Sequence, residues 1–171
     1  MRIYFRAFTV SSVLGLCAAT AAFAAEPPVV IQIPRLTVEV SQKIAQAALE
    51  ECRKEGIQIG VTVVDRGGHP VVVLRDTLAP DLTLAISREK AYTAMSFNAA
   101  TASLEDRFTA PFSIGKVPGL LFAAGGIPIE VAGKIAGGVG VSGAPTGAQD
   151  EKCARAGLQA VQFELESVGL P

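Results

Sequence analysis

The chain has 171 residues, 50% of them hydrophobic and 18% charged, with a formal net charge of −1. That length and apolar content suit one domain able to bury a real core. The near-neutral balance excludes the basic footprint of a nucleic-acid binder, and no basic amphipathic stretch points to a membrane surface.

In chain order, an export segment comes first. Arg2 and Arg6 form a short basic n-region, residues 7–22 are an apolar run, and Ala22-Phe23-Ala24 is an A-x-A cleavage site. The run is too short and too alanine-rich for a good transmembrane helix. A lipoprotein signal ending at Cys17 is disfavoured by the bulky Leu16 before it. Cleavage of the signal peptide (residues 1–24) would deliver the protein to a bacterial periplasm. It would move the net charge from −1 to −3, because two arginines and no acid leave (13 basic against 16 acidic residues remain). Cys17 leaves too, while Cys52 and Cys153 remain in an oxidising compartment where disulfides persist.

Residues 25–36 carry Pro27, Pro28 and Pro34 and read as an extended lead-in to a single domain over 37–171. A first helix is predicted from Thr37, a suitable N-cap, to just before Gly56. Its i+4 row of Val40, Ile44, Ala48 and Cys52 marks the buried face. Alternation predicts a strand over 57–65, a turn at Arg66-Gly67-Gly68 and a return strand over 71–75. A second helix, rich in small residues, is predicted over 81–100, and a further helical turn over 103–108. A Pro- and Gly-containing loop over 109–119 leads into a short strand at 120–123. A second hairpin follows, with Ile127, Ile129 and Val131 in the outgoing strand, a turn at Ala132-Gly133-Lys134, and a return strand over 135–142. Gly137, Gly138 and Gly140 sit inside that return strand. Interior glycines mark a bulge or a close approach to the backbone, here by a packed helix or by a ligand. A last helix is predicted over 150–168, capped by Asp150, with Cys153, Gly157 and Val161 on its apolar face. Hairpins dominate and βαβ units are absent. The fold class is therefore α+β, a mainly antiparallel sheet of five strands with helices on its faces.

With His69 the one histidine in the chain, a His-rich zinc site is excluded, and its place in a hairpin turn argues against a Ser-His-Asp triad. No P-loop is present, and the glycines of 133–143 lie in a strand rather than at a strand-to-helix turn, which argues against a dinucleotide fingerprint. His69 is either a solvent-facing turn residue or a functional one: an axial ligand for haem iron, or a proton donor over a substrate. Tyr92, Met95 and a reduced cysteine are the other conceivable haem ligands, Met95 more simply a core residue. Arg75 and Lys90 read as surface charges or as cations near Gly125-Gly126 holding carboxylates. Gly125 and Gly126 form a bulge or offer backbone N–H groups to an anion. Asp150 and Glu151 have a structural use at a helix N-terminus, preferred over metal binding. Cys52 and Cys153 each lie on the apolar face of a terminal helix, and a disulfide between them is expected.

These pieces, taken together, resemble the GlcG/HbpS family. The matching stretches are VTVVDRGGH (61–69), Arg75-Asp76, SREKAYTA (87–94), VPGLLFAAGGIPI (117–129), KIAGGVGVSG (134–143) and DEKCARAG (150–157). Where the family often has a second acidic residue after Arg-Asp, this chain has Thr77, which weakens a metal role there. The resemblance implies a profilin-like α+β fold, a five-stranded antiparallel sheet between helices, and homo-oligomers. It also implies haem as cofactor in some members, linked to haem breakdown or redox sensing.

Three readings of function follow. The first is an exported haem-binding protein serving haem uptake, sensing or degradation. It would hold haem between the sheet and the second helix or between subunits, with His69 as ligand and Arg75 or Lys90 near the propionates. The second is an enzyme acting on a small organic acid, with the glycine strand as pocket floor. The third is an oligomeric scaffold without a ligand.

Overall fold

The computed structural model describes residues 29–111 and 113–168. The predicted signal peptide and the first residues of the lead-in lie outside them. The chain divides into two compact units, Met1–Ile31 and Gln32–Pro171. Of the first, residues 29–31 are described and are exposed; the second carries the fold.

Helix α1, Val38–Lys54, starts as its sequence dictates: Thr37 Oγ1 accepts from the Val40 N–H, and Glu39 lies in the first turn with Arg53 and Lys54 in the last. Both charge placements favour the helix dipole. Strands β1 (Gly60–Asp65) and β2 (Pro70–Arg75) form the first hairpin, and β3 (Gly126–Val131) and β4 (Lys134–Ser142) the second. The β3–β4 turn has positive φ at both Ala132 (+47°) and Gly133 (+74°), the twist that suits a two-residue hairpin loop. All pairings are antiparallel, in the order β2-β1-β4-β3.

Among the described residues the sheet therefore has four strands, not the five expected. Residues 120–123 do not join it, because side chains take the nearby backbone donors. The Leu121 N–H donates to Thr93 Oγ1 at 2.8 Å, and the Ala124 N–H to Glu105 Oε1 at 2.7 Å. A segment whose N–H groups are satisfied that way has no ladder to offer.

Alternation splits the sheet into two faces. Val61, Val63, Ile127, Ile129, Val139 and Val141 join Ile44, Ala48 and Leu49 of α1 in the main core. Helix α3 (Gly147–Gln159) packs beside α1 on that side, and Cys52 and Cys153 form a disulfide between the two helices with Cα atoms 5.6 Å apart. Gly157 permits the contact: a Cβ there would stand 2.6 Å from the Ile44 carbonyl oxygen. The other sheet face carries Gly60, Thr62, Val64, Gly126, Gly138 and Gly140, and helix α2 (Leu82–Phe97) lies on it.

The expected continuous last helix is also corrected. Thr146, not Asp150, caps α3, with Thr146 Oγ1 accepting from the Gln149 N–H. The helix stops at Gln159, and α4 (Gln162–Glu166) begins after Val161. Val161 is 1% exposed at φ −120°. Turning its side chain into the core breaks the helical path.

Candidate functional site

The hairpin turn between β1 and β2 is built by Asp65. Its Oδ1 accepts the N–H of Gly67 at 2.8 Å and of His69 at 3.0 Å, and Gly68 between them has φ +82°. An Asp side chain that folds back on its own backbone in this way stabilises a turn. Burial pushes the Asp65 carboxyl up, but the His69 and Gly67 N–H bonds and the charges of His69 and Arg35 outweigh it and hold the group below its ordinary value. His69 Nδ1 stands 3.4 Å from Asp65 Oδ1, and the imidazole is 80% exposed.

That turn forms one wall of a cavity of about 430 Å³. The opposite wall is the outer face of α2: Ala85, Arg88, Glu89 and Tyr92 recur at helical spacing and all line it. Pro118 and Gly119 complete the lining. Gly68 brings the walls together, since a Cβ there would sit 2.5 Å from the Tyr92 ring. His69 and Tyr92, the two polar residues named from sequence as conceivable haem ligands, thus share one cavity. Met95 does not line it; it is 4% exposed and packs with Val64 and Ala91.

The remaining candidates go elsewhere. Arg75 Nη1 donates to the Ala79 carbonyl, closing the loop after β2. Lys90 is 4% exposed; its Nζ donates to Asp150 Oδ2 at 2.7 Å and to the Val141 carbonyl at 3.1 Å. Lys90 holds a carboxylate beside Gly125, but that carboxylate is Asp150 of this chain and not a ligand's. Asp150 Oδ1 also accepts the Ala144 N–H. Burial pushes the Asp150 carboxyl up, while Lys90 and Ala144 pull it down. A Cβ at Gly125 would meet Asp150 Cβ and Lys90 Nζ within 2.9 Å, so the glycine makes room for this pair. The Gly126 N–H donates to Thr101 Oγ1 at 2.9 Å.

The glycine strand is covered as well. A Cβ at Gly138 or Gly140 would run into the Ala91 or Ser87 carbonyl of α2. Thr62 and Ser87 hydroxyls hydrogen-bond at 2.8 Å across the same contact. The glycines serve helix packing, and neither haem nor a small acid has space between sheet and α2. A larger cleft of about 760 Å³ runs along α3, but its cations are engaged: Lys152 by Glu51 and Glu55, Arg155 by Glu151.

Sequence reasoning missed Arg88. The signal was present in the i, i+3, i+4, i+7 stripe of Ala85, Arg88, Glu89 and Tyr92, which makes sense only once the facing turn is in place.

Comparison with known proteins agrees with this architecture. A family model described as "Haem degrading protein HbpS-like" matches residues 36–159. GlcG of Escherichia coli strain K12 is 37% identical over 109 residues, spanning 63% of this chain and 81% of GlcG. A double mutant of HbpS from Streptomyces reticuli superposes with a TM-score of 0.74 at 40% identity, covering 84% of this chain and 98% of that one. PduOC, solved as a heme complex, shares the fold at 24% identity and a TM-score of 0.69, covering 79% of this chain and 97% of that one. With the family model covering most of the chain and the relatives sharing its sheet and helices, this protein belongs to the HbpS-like family.

Proposed function

We propose that the protein binds haem at the cavity between the β1–β2 turn and α2, with His69 as the axial ligand. The observation that carries this reading is the placement of an exposed imidazole beside Tyr92 at a cavity of about 430 Å³. That volume lies within the usual range for small-molecule sites, about 300–1,000 Å³. The donor set fits the group: an imidazole nitrogen suits iron, an aromatic ring offers a planar contact, and a guanidinium on the rim suits an anionic substituent. Membership of a family described as haem-degrading supports the same ligand. Haem would supply the iron and its redox chemistry. The chain supplies His69, the turn that presents it, and the wall of α2.

Hemin titration of the purified protein tests the proposal. Binding should give a Soret band, and His69→Ala should shift or remove that band and weaken uptake. An unchanged spectrum and affinity in the variant would rule His69 out as ligand.

We also propose that the protein is exported to the periplasm and works there as a homo-oligomer. The Arg2/Arg6 n-region and the Ala22-Phe23-Ala24 site support export. The intact mass of periplasmic protein should correspond to a chain starting at Ala25. A mass retaining residues 1–24, or a lipid on Cys17, would overturn the export reading.

A further inference from the structure

We infer that Arg88 is the anion-holding residue of the His69 cavity, and that the cavity takes a planar ligand carrying a carboxylate. The described fold has seven arginines, and six are engaged. Arg35 faces Asp65, Arg53 pairs with Asp76, and Arg155 pairs with Glu151. Arg66 donates to Met95 Sδ, Arg75 donates to the Ala79 carbonyl, and Arg107 lies over the Phe108 ring. Arg88 alone has no such partner among the described residues, and it lines the cavity.

Two other cations that sequence reasoning offered for ligand carboxylates, Arg75 and Lys90, are committed to the Ala79 carbonyl and to Asp150. The task therefore passes to Arg88. A guanidinium forms two parallel hydrogen bonds to a carboxylate, and it does so at a fixed direction that an ammonium lacks.

The neighbours narrow the ligand class. Tyr92 is one helical turn beyond Arg88 and Ala85 nearly one turn before it, so both share its side of α2. They offer an aromatic ring and a small apolar side chain to the body of the ligand. Glu89 also lines the cavity and carries the opposite charge. It disfavours a ligand with negative charge spread along its length and favours one whose charge is confined to an end. A haem, with its propionates at one edge, meets this description, and that part of the inference rests on the proposed function. The role of Arg88 toward a carboxylate does not.

The test compares hemin with hemin dimethyl ester, in which the propionates are masked, on the full-length protein and on Arg88→Gln and Arg88→Lys. Arg88 is exposed, so its replacement should leave the fold intact. Arg88→Gln should weaken hemin binding about tenfold or more, the usual scale for a hydrogen bond to a charged group, and leave the ester unaffected. Arg88→Lys should recover part of the loss. Equal hemin affinity in wild type and Arg88→Gln, or an equal loss for hemin and its ester, would overturn the role of Arg88. Should the wild type take up no hemin, the haem reading fails and benzoate becomes the probe. Saturable shifts of the Arg88 Nε–H and Tyr92 ring resonances, the latter abolished in Arg88→Gln, would keep the carboxylate site. No shift would remove it.

Discussion

Replacing Lys90 by methionine isolates the buried pair that ties α2 to α3. The Lys90 side chain is 5% exposed and that of Asp150 6%, with Nζ 2.7 Å from Oδ2. Methionine keeps the aliphatic bulk but removes the charge and both hydrogen bonds, to Asp150 and to the Val141 carbonyl. Asp150 would be left with the Ala144 N–H alone. Breaking a buried ion pair from one side costs about 3–5 kcal/mol, because the remaining charge is neither solvated nor paired. For a domain of this size that is a drop in melting temperature on the order of 10 °C.

The deficit carries a pH signature. Without Lys90 the Asp150 carboxyl rises further in the folded state. An acid whose folded pKa exceeds its unfolded value loses stability as pH climbs from the unfolded value, 3.8, through the folded one. The Lys90→Met deficit should therefore be largest near neutrality and shrink toward pH 4, where Asp150 can take up a proton and remain buried neutral. Urea melts of wild type and variant at pH 7.5 and pH 4.5 measure both quantities. A difference below about 1 kcal/mol at pH 7.5, or one that does not change with pH, would refute a buried, charge-paired Lys90.

The disulfide and the glycine packing give two further tests. A Cys52→Ala, Cys153→Ala variant opens a loop of 101 residues, for which chain entropy predicts a loss of about 4–5 kcal/mol less any native strain; two free thiols per chain in denatured, unreduced protein prepared under oxidising conditions would show that the bond is absent. At Gly140 a Cβ would collide with the Ser87 carbonyl and stand 2.6 Å from the Ala91 nitrogen, both rigid backbone atoms. Gly140→Val should therefore destabilise by on the order of 1–3 kcal/mol by denaturant unfolding, and an unchanged melting curve would show that α2 does not lie on the strand.

Local pattern was enough to place most elements, since each is written within a few residues of itself. Thr37 before an i+4 apolar row starts α1, and Ala132-Gly133 between alternating runs turns the second hairpin. The same apolar rows put Cys52 and Cys153 on facing helices, and the interior glycines of β4 announced that something approaches closely. Only the tertiary structure decided what approaches. The carbonyls over Gly138 and Gly140 come from a helix some fifty residues away, and whether a helix or a ligand fills that place is not a property of the strand. Lys90 and Asp150 are 60 residues apart, so an acid that looks like a helix cap acquires its partner only when both faces of the sheet are covered. Residues 120–123 look like a strand because strand propensity is local, yet Thr93 and Glu105 take the nearby donors first. Arg75 and Arg88 are equally charged on paper. The fold turns one onto the Ala79 carbonyl and leaves the other at the His69 cavity, because hydrogen-bond partners are assigned by contact in space and not by order along the chain.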